Sequence, residues 1–186
     1  MKDNFQITAK EDGKQYWISR SVAVAGFIYR LNFPNVEVLT EIRGKGVDHS
    51  GERCAICGYL NWDETLTEAL KREAYEETGI QLDPSKLQCV YINSDPSENR
   101  QNVTVHYLYY ANNGEDFDLD VRHGGEQNEV ERVEWLPVCN MLDSRGQYLE
   151  NIPRDFCFNH RERILQYLPT ILKQICDDQN EKDEEN

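Results

Sequence analysis

Residues 21–30 (SVAVAGFIYR) are an unbroken run of β-branched, aromatic and small side chains, which predicts a buried strand. Residues 36–43 (VEVLTEIR) alternate instead, placing Val36, Val38, Thr40 and Ile42 on one face of a second strand. Asn32-Phe33-Pro34-Asn35 lies between them and predicts a hairpin turn. Residues 44–51 read as a glycine-bearing loop, and 54–60 as a short apolar strand. A helix is predicted over 66–78, with Thr65 and Glu68 as a capping box and Gly79 as its stop. Residues 87–93, 103–111 and 129–136 read as three further strands, and 112–125 as a loop. Pro153 is expected to open a long C-terminal helix, with Ile164, Leu168, Ile171 and Ile175 as a core-facing stripe. Strands, helix, strands, helix predict an α/β fold, an α/β/α sandwich around a mixed β-sheet. One domain is expected over 1–176, followed by an acidic, disordered tail over 177–186.

Composition narrows the partners. With 39% hydrophobic and 29% charged residues, the chain can bury a core and remain soluble. Its longest apolar stretch, 22–29, is strand-sized and far from the length of a membrane span. The start, MKDNFQITAKEDGK, has no apolar core like that of a signal peptide, so a cytoplasmic location is expected. A net charge of −14 argues against nucleic acid or an anionic membrane held by general electrostatics. A small anionic substrate stays compatible, and so does a homodimer. The six cysteines, at 54, 57, 89, 139, 157 and 176, read as reduced thiols. Cys54-Ala55-Ile56-Cys57 has the spacing of half a zinc site. The remaining cysteines are scattered and form no second Cys pair, so the thiols read as small buried apolar groups.

The predicted first helix breaks an ordinary rule. Leu66, Ala69 and Leu70 share the face expected to point inward, and the same face continues into Glu73, Glu76 and Glu77. Turned inward without partners, such carboxylates would cost several kcal/mol each. A cation removes that cost, and an all-oxygen donor set suits Mg²⁺, Mn²⁺ or Ca²⁺ better than zinc. Mg²⁺ usually completes its shell with water and substrate phosphates. Against this stands the plain alternative of a solvated acidic helix.

The surrounding residues favour the metal. Gly58-x5-Glu64-x7-Arg72-Glu73-Ala74-x-Glu76-Glu77-x-Gly79-Ile80 is similar to the Nudix box at every position, seven fixed letters and two aliphatic ones. The flanking strands, from Val22 to Trp135, resemble the family fold more loosely. The resemblance implies a Nudix pyrophosphohydrolase that cuts a diphosphate bond in a nucleoside-diphosphate-linked substrate, ADP-ribose-like or a nucleotide. It implies Mg²⁺, or Mn²⁺, as cofactor. Glu76 and Glu77 would be direct metal ligands, and Glu73 a ligand or the general base on water. Arg72 would brace the carboxylates, Glu64 would organise them from outside, and Gly58 and Gly79 would shape the loop and end the helix.

The chain departs from the family where Ile56-Cys57-Gly58 replaces the common Pro-Gly-Gly, so the backbone-carbonyl ligand would come from Cys57. A further acid is expected near Trp135. Its distance from that tryptophan selects Glu129 first and Glu126 next, ahead of Glu131 and Glu134. Arg43 and Lys45 sit where family members contact phosphate. Pro96 resembles a proline of ADP-ribose-type members but also fits an ordinary Ser-Asp-Pro-Ser turn. Tyr107, Tyr109 and Tyr110 read as strand core before base-stacking groups.

Two other readings stay open. A non-catalytic nucleotide sensor could use the same fold. An isopentenyl diphosphate isomerase-like enzyme would share Cys57-Gly58 and Glu64, although Tyr59 stands where its histidine is expected.

Overall fold

The computed structural model describes residues 5–111, 119, 129–142 and 152–184. It opens on an antiparallel hairpin, β1 (Phe5–Thr8) with β2 (Gln15–Ile18), which the sequence pattern did not announce. These strands are short and mostly exposed, so they carry little apolar alternation.

The core is built on β3 (Ser21–Asn32). It pairs antiparallel with β4 (Asn35–Arg43) through the expected hairpin. Beyond β4, the short β5 (Arg53–Cys54) pairs with that strand, and β6 (Ile56–Tyr59) pairs with β3. Helix α1 (Leu66–Thr78) has the predicted bounds, with both halves of the Thr65/Glu68 capping box formed and Gly79 closing it at φ 79°. A short 3₁₀ turn (Pro84–Lys86) leads to β7 (Gln88–Asn93), which runs antiparallel to β8 (Asn102–Ala111). Strand β8 lies parallel to β3, and β9 (Val130–Asn140) lies antiparallel to β4. The sheet is therefore mixed and seven-stranded.

Strand β3 is buried on both faces, which is why its sequence is a run and not an alternation. Val24 and Ile28 pack with Ala69, Leu70 and Ala74 of α1. Ala25, Phe27 and Tyr29 pack with Ile164, Leu168, Ile171 and Ile175 of α2 (His160–Glu184). This is the expected α/β/α sandwich, and the predicted stripe of α2 faces the core. A Cβ at Gly26 would lie 2.7 Å from Leu70 Cδ1, so this glycine lets α1 sit directly on the strand. Tyr107, Tyr109 and Tyr110 are buried strand residues, as read.

Three expectations change. Strand β4 was read from the alternation of one face, yet Glu37 and Glu41 on its other face are buried too, Glu37 against Arg30 and Asn32 and Glu41 against Cys54 and Glu77. Strand β9 continues through Pro137 to Asn140, with the register shift between Val36 and Glu37 of its partner absorbing the proline. Helix α2 starts at His160, not at Pro153. Before it, the backbone is held against β5: Arg53 N–H donates to Asp155 O (2.7 Å) and Cys157 N–H to Arg53 O (2.9 Å). The helix then runs through Glu184, into the segment read from composition as a tail. Lys173 and Asp177 pair one turn apart across that boundary. No helix among the described residues is long and apolar enough to cross a membrane.

Candidate active site

Arg72 organises the acidic face of α1. Its guanidinium holds Glu64 bidentately (Nε–Oε2 3.0 Å, Nη2–Oε1 2.8 Å) and also donates to Glu73 Oε1 (2.8 Å), Glu76 Oε2 (2.9 Å) and the Tyr59 carbonyl (2.9 Å). One cation thus gathers three carboxylates and the loop that enters the helix. The Arg72 guanidinium holds the Glu64 carboxyl below the usual carboxylate range, and Glu64 in turn raises the Arg72 pKa.

The three helix carboxylates sit at graded depths. Glu76 is the most open, with 35% of its side chain exposed, against 13% for Glu73. Glu77 is buried. It accepts the Cys57 N–H at 3.3 Å, tying the helix to β6. Burial, then repulsion from Glu41, pushes the Glu77 carboxyl well above its ordinary range. Burial raises Glu73 as well, opposed by Arg72. Gly58 faces Glu73 so closely that a Cβ there would fall 2.0 Å from Glu73 Oε1.

Glu41 is the residue that the sequence reading missed. It is buried on β4 beside Glu77, accepts a hydrogen bond from the Cys54 thiol (3.0 Å), and is pushed by burial up to about 7. Its Oε2 is buried with no hydrogen-bond partner in the structure. Nothing local marks it, since at an alternate position of an amphipathic strand a glutamate reads as solvent-facing.

A hard divalent cation fits these residues. The donors are carboxylate oxygens, one of the cluster's buried oxygens is orphaned, and Arg72 neutralises only the outer part of the cluster.

Of the other predicted residues, Glu129 precedes β9, its carbonyl accepting from Gly44 N–H (2.6 Å), and its charge acts on both Glu41 and Glu73. Glu134 is engaged elsewhere, by Arg53 and Arg132. Glu131 is exposed, and Glu126 lies outside the described residues. Arg43 is turned inward: Nε donates to the Asp48 carbonyl (2.7 Å) and Nη1 lies 3.8 Å from Glu41. Lys45 is exposed in the glycine-bearing loop. Pro96 lies in a turn in which Asp95 Oδ1 accepts from Ser97 N–H (2.8 Å), an ordinary Asx turn. Trp62, unremarked in the sequence, is 88% exposed between Gly58 and Glu64 and stands edge-to-face with Tyr16 at 5.9 Å.

The NUDIX domain profile matches residues 21–158. Among solved structures, a MutT/nudix family protein from Enterococcus faecalis is 20% identical, with a TM-score of 0.66 over 85% of this chain and 64% of that one. A bifunctional NMN adenylyltransferase/ADP ribose pyrophosphatase from Francisella tularensis, complexed with AMP and a manganese ion, is 19% identical, with a TM-score of 0.61 over 82% of this chain and 42% of that one. The NUDIX domain of Shewanella oneidensis NrtR, complexed with ADP ribose, is 17% identical, with a TM-score of 0.61 over 83% of this chain and 90% of that one. The chain thus spans less than two thirds of the first two proteins, and at these identities the likeness concerns the fold. No curated protein matches it in sequence.

Proposed function

We propose, from the premise that this chain belongs to the NUDIX domain family, that it is a divalent-cation-dependent pyrophosphohydrolase acting on a nucleoside-diphosphate-linked substrate. The observation that carries the reading is the acidic cluster on α1, drawn together by Arg72 while its inner member, Glu77, is buried against a second buried carboxyl, Glu41.

Glu73, Glu76 and Glu77 would hold Mg²⁺ or Mn²⁺, joined by the Cys57 carbonyl and Glu129. A bound cation supplies charge neutralisation for the phosphates and acidifies water. Glu73, whose carboxyl is raised by burial, would serve either as a ligand or as the base that takes the proton from the attacking water. Arg72 fixes Glu73 and Glu76 in position, and Glu64 fixes Arg72. Lys45, exposed in the glycine-bearing loop, contacts substrate phosphate, while Arg43 is held inward by the Asp48 carbonyl and Glu41. Trp62 presents an aromatic face for a nucleobase. An ADP-ribose-like or nucleotide substrate is supported by the ligands of the structural relatives, ADP ribose in one and AMP in another. The complete carboxylate set favours turnover over a sensor. The hydroxyl of Tyr59 meets Asn102, and no histidine stands in its place for an isomerase.

The test is a substrate panel in Mg²⁺: ADP-ribose, sugar nucleotides, NADH, nucleoside triphosphates and dinucleoside polyphosphates. Glu76→Gln and Glu77→Gln run beside the parent. Either substitution is expected to remove most turnover while the protein stays folded. Undiminished hydrolysis in both would defeat the assignment, and binding without product would favour the sensor.

A further inference from the structure

Cys54-x-x-Cys57 has a counterpart that a count of cysteine pairs alone passes over: Cys157-Phe158-Asn159-His160. The fold brings the two together. Ligand atoms of Cys54, Cys57 and His160 all lie within 4.8 Å of one another. Cys157 stands against β5 beside Cys54, its N–H donating to Arg53 O at 2.9 Å and its thiol 3.4 Å from the same carbonyl. Phe158 and Asn159 both take the left-handed conformation, at φ 58° and 59°. For non-glycine residues that costs roughly 1–2 kcal/mol each. Across this bend His160 N–H donates to Cys157 O (3.1 Å). We propose that Cys54, Cys57, Cys157 and His160 form a structural zinc site of the Cys3His class.

The chemistry matches a soft, four-coordinate ion. Cys54, Cys157 and His160 are buried, and Cys57 is half-buried. The His160 ring is neutral, its pKa pushed by burial down to about 3, as a ligand requires. Its Nδ1 accepts the Ala55 N–H at 3.0 Å, which fixes the ring against the backbone between the two cysteines. The Cys54 thiol is raised well above its ordinary value by Cys157, then Cys57, then burial, as expected of thiols crowded together. A tetrahedral ion with bonds of about 2.3 Å to sulfur sets sulfurs about 3.8 Å apart, so loading draws the Cys157 thiol in to join the three residues that already lie within 4.8 Å. Loading releases three thiol protons to buffer, that of Cys54 from its hydrogen bond to Glu41. The site then carries one net negative charge, which the Arg43 guanidinium, beside Cys54 and Cys57, offsets.

This centre adjoins the acidic one, through Cys54 on Glu41 and the Cys57 backbone on Glu77, but its ligand side chains lie on the other face of the sheet. Adjacent strand residues face opposite sides of a sheet. Gly58 faces Glu73 of α1, while Cys57 packs with the cluster that α2 covers. The inference does not depend on the reaction. Zinc would clamp the loop at the place where Ile56-Cys57 departs from the family's Pro-Gly.

The full chain, given one equivalent of zinc and desalted, is expected to keep about one zinc per chain by elemental analysis. Glu76→Gln, Cys89→Ser and Cys176→Ser should keep it, and Cys157→Ser and His160→Gln should lower retention at least tenfold. Cobalt(II) added to the wild type should give a thiolate-to-cobalt charge-transfer band, which needs no variant to fold. The proposal falls if wild type retains under a tenth of a zinc, if the charge-transfer band is missing, or if Glu76→Gln alone sheds the zinc. A Cys54–Cys57 disulfide in protein purified without reductant and resistant to zinc loading would also overturn it.

Discussion

Gly58 on β6 and Glu73 on α1 stand so close that the smallest side chain at position 58 would occupy the place of the Glu73 carboxylate, 2.0 Å from Oε1. The glycine is required here by space, since its own Cβ position is the cradle. Gly58→Ala forces Glu73 to swing away and lose its 2.8 Å contact with Arg72. Because the obstructed atoms end a flexible side chain, folding should weaken by only about 1 kcal/mol. Turnover should fall on the order of 100-fold or more, the usual result of moving a catalytic group by an ångström. Steady-state kinetics beside a thermal melt separate the two, and an unchanged kcat would remove Glu73 from the reaction.

Glu77 lies buried against Glu41, and both carboxyls are raised. A carboxyl with a folded pKa above its unfolded value is no burden at low pH, where both states are protonated. Its cost grows as pH rises through the folded value. Glu77→Gln should therefore stabilise the metal-free protein above neutral pH, by on the order of 1 kcal/mol or more. The same substitution should shrink the rise in Tm that Mg²⁺ produces in the parent. Melts in EDTA and in Mg²⁺ at pH 8 read both effects, and an undiminished Mg²⁺ shift would place the ion elsewhere.

What could be read from the chain and what could not divide by range. The capping box of Thr65 and Glu68, the stop at Gly79 and the face shared by Glu73, Glu76 and Glu77 are local, and periodicity exposes them. Glu41 is invisible by the same logic, since its surroundings, Cys54 and Glu77, are brought over it only by the fold. The start of α2 was misplaced because the backbone after Pro153 is consumed by pairing with Arg53, a contact across more than half the sequence. The juxtaposition of Cys57 with His160 is of the same kind, although the spacing of Cys157 and His160 was present to be read.

Trp62 is the most exposed large apolar residue near the acidic cluster, and its ring stands edge-to-face with Tyr16 of β2. A base stacked on it would gain about 1–3 kcal/mol. Trp62→Ala should raise KM for the preferred nucleotide substrate by about tenfold or more and leave kcat within a few-fold, since the indole lies outside the carboxylate cluster. A KM unchanged across the substrate panel would show that the base binds elsewhere.

His106 supplies a pH dependence that no cation at the acidic cluster touches. The side chain is buried on β8, with Nδ1 2.8 Å from the Tyr167 hydroxyl and its ring against Phe27 and Tyr91. Burial, then the charge of Arg163, lowers its pKa to about 4, with Glu98 opposing. A depressed folded pKa makes the stabilisation complete above the unfolded value near 6.5 and loses it as pH falls through 4. Between pH 7 and pH 5 this one ring should cost the fold about 2 kcal/mol. His160 adds to the same acid limb while its ring is free, so the comparison belongs in zinc-free protein. His106→Gln keeps a partner for Tyr167 and removes the titration. Urea unfolding at the two pH values should show a smaller stability difference in the variant than in the parent. An equal difference would mean that the buried ring takes its proton without opening the core.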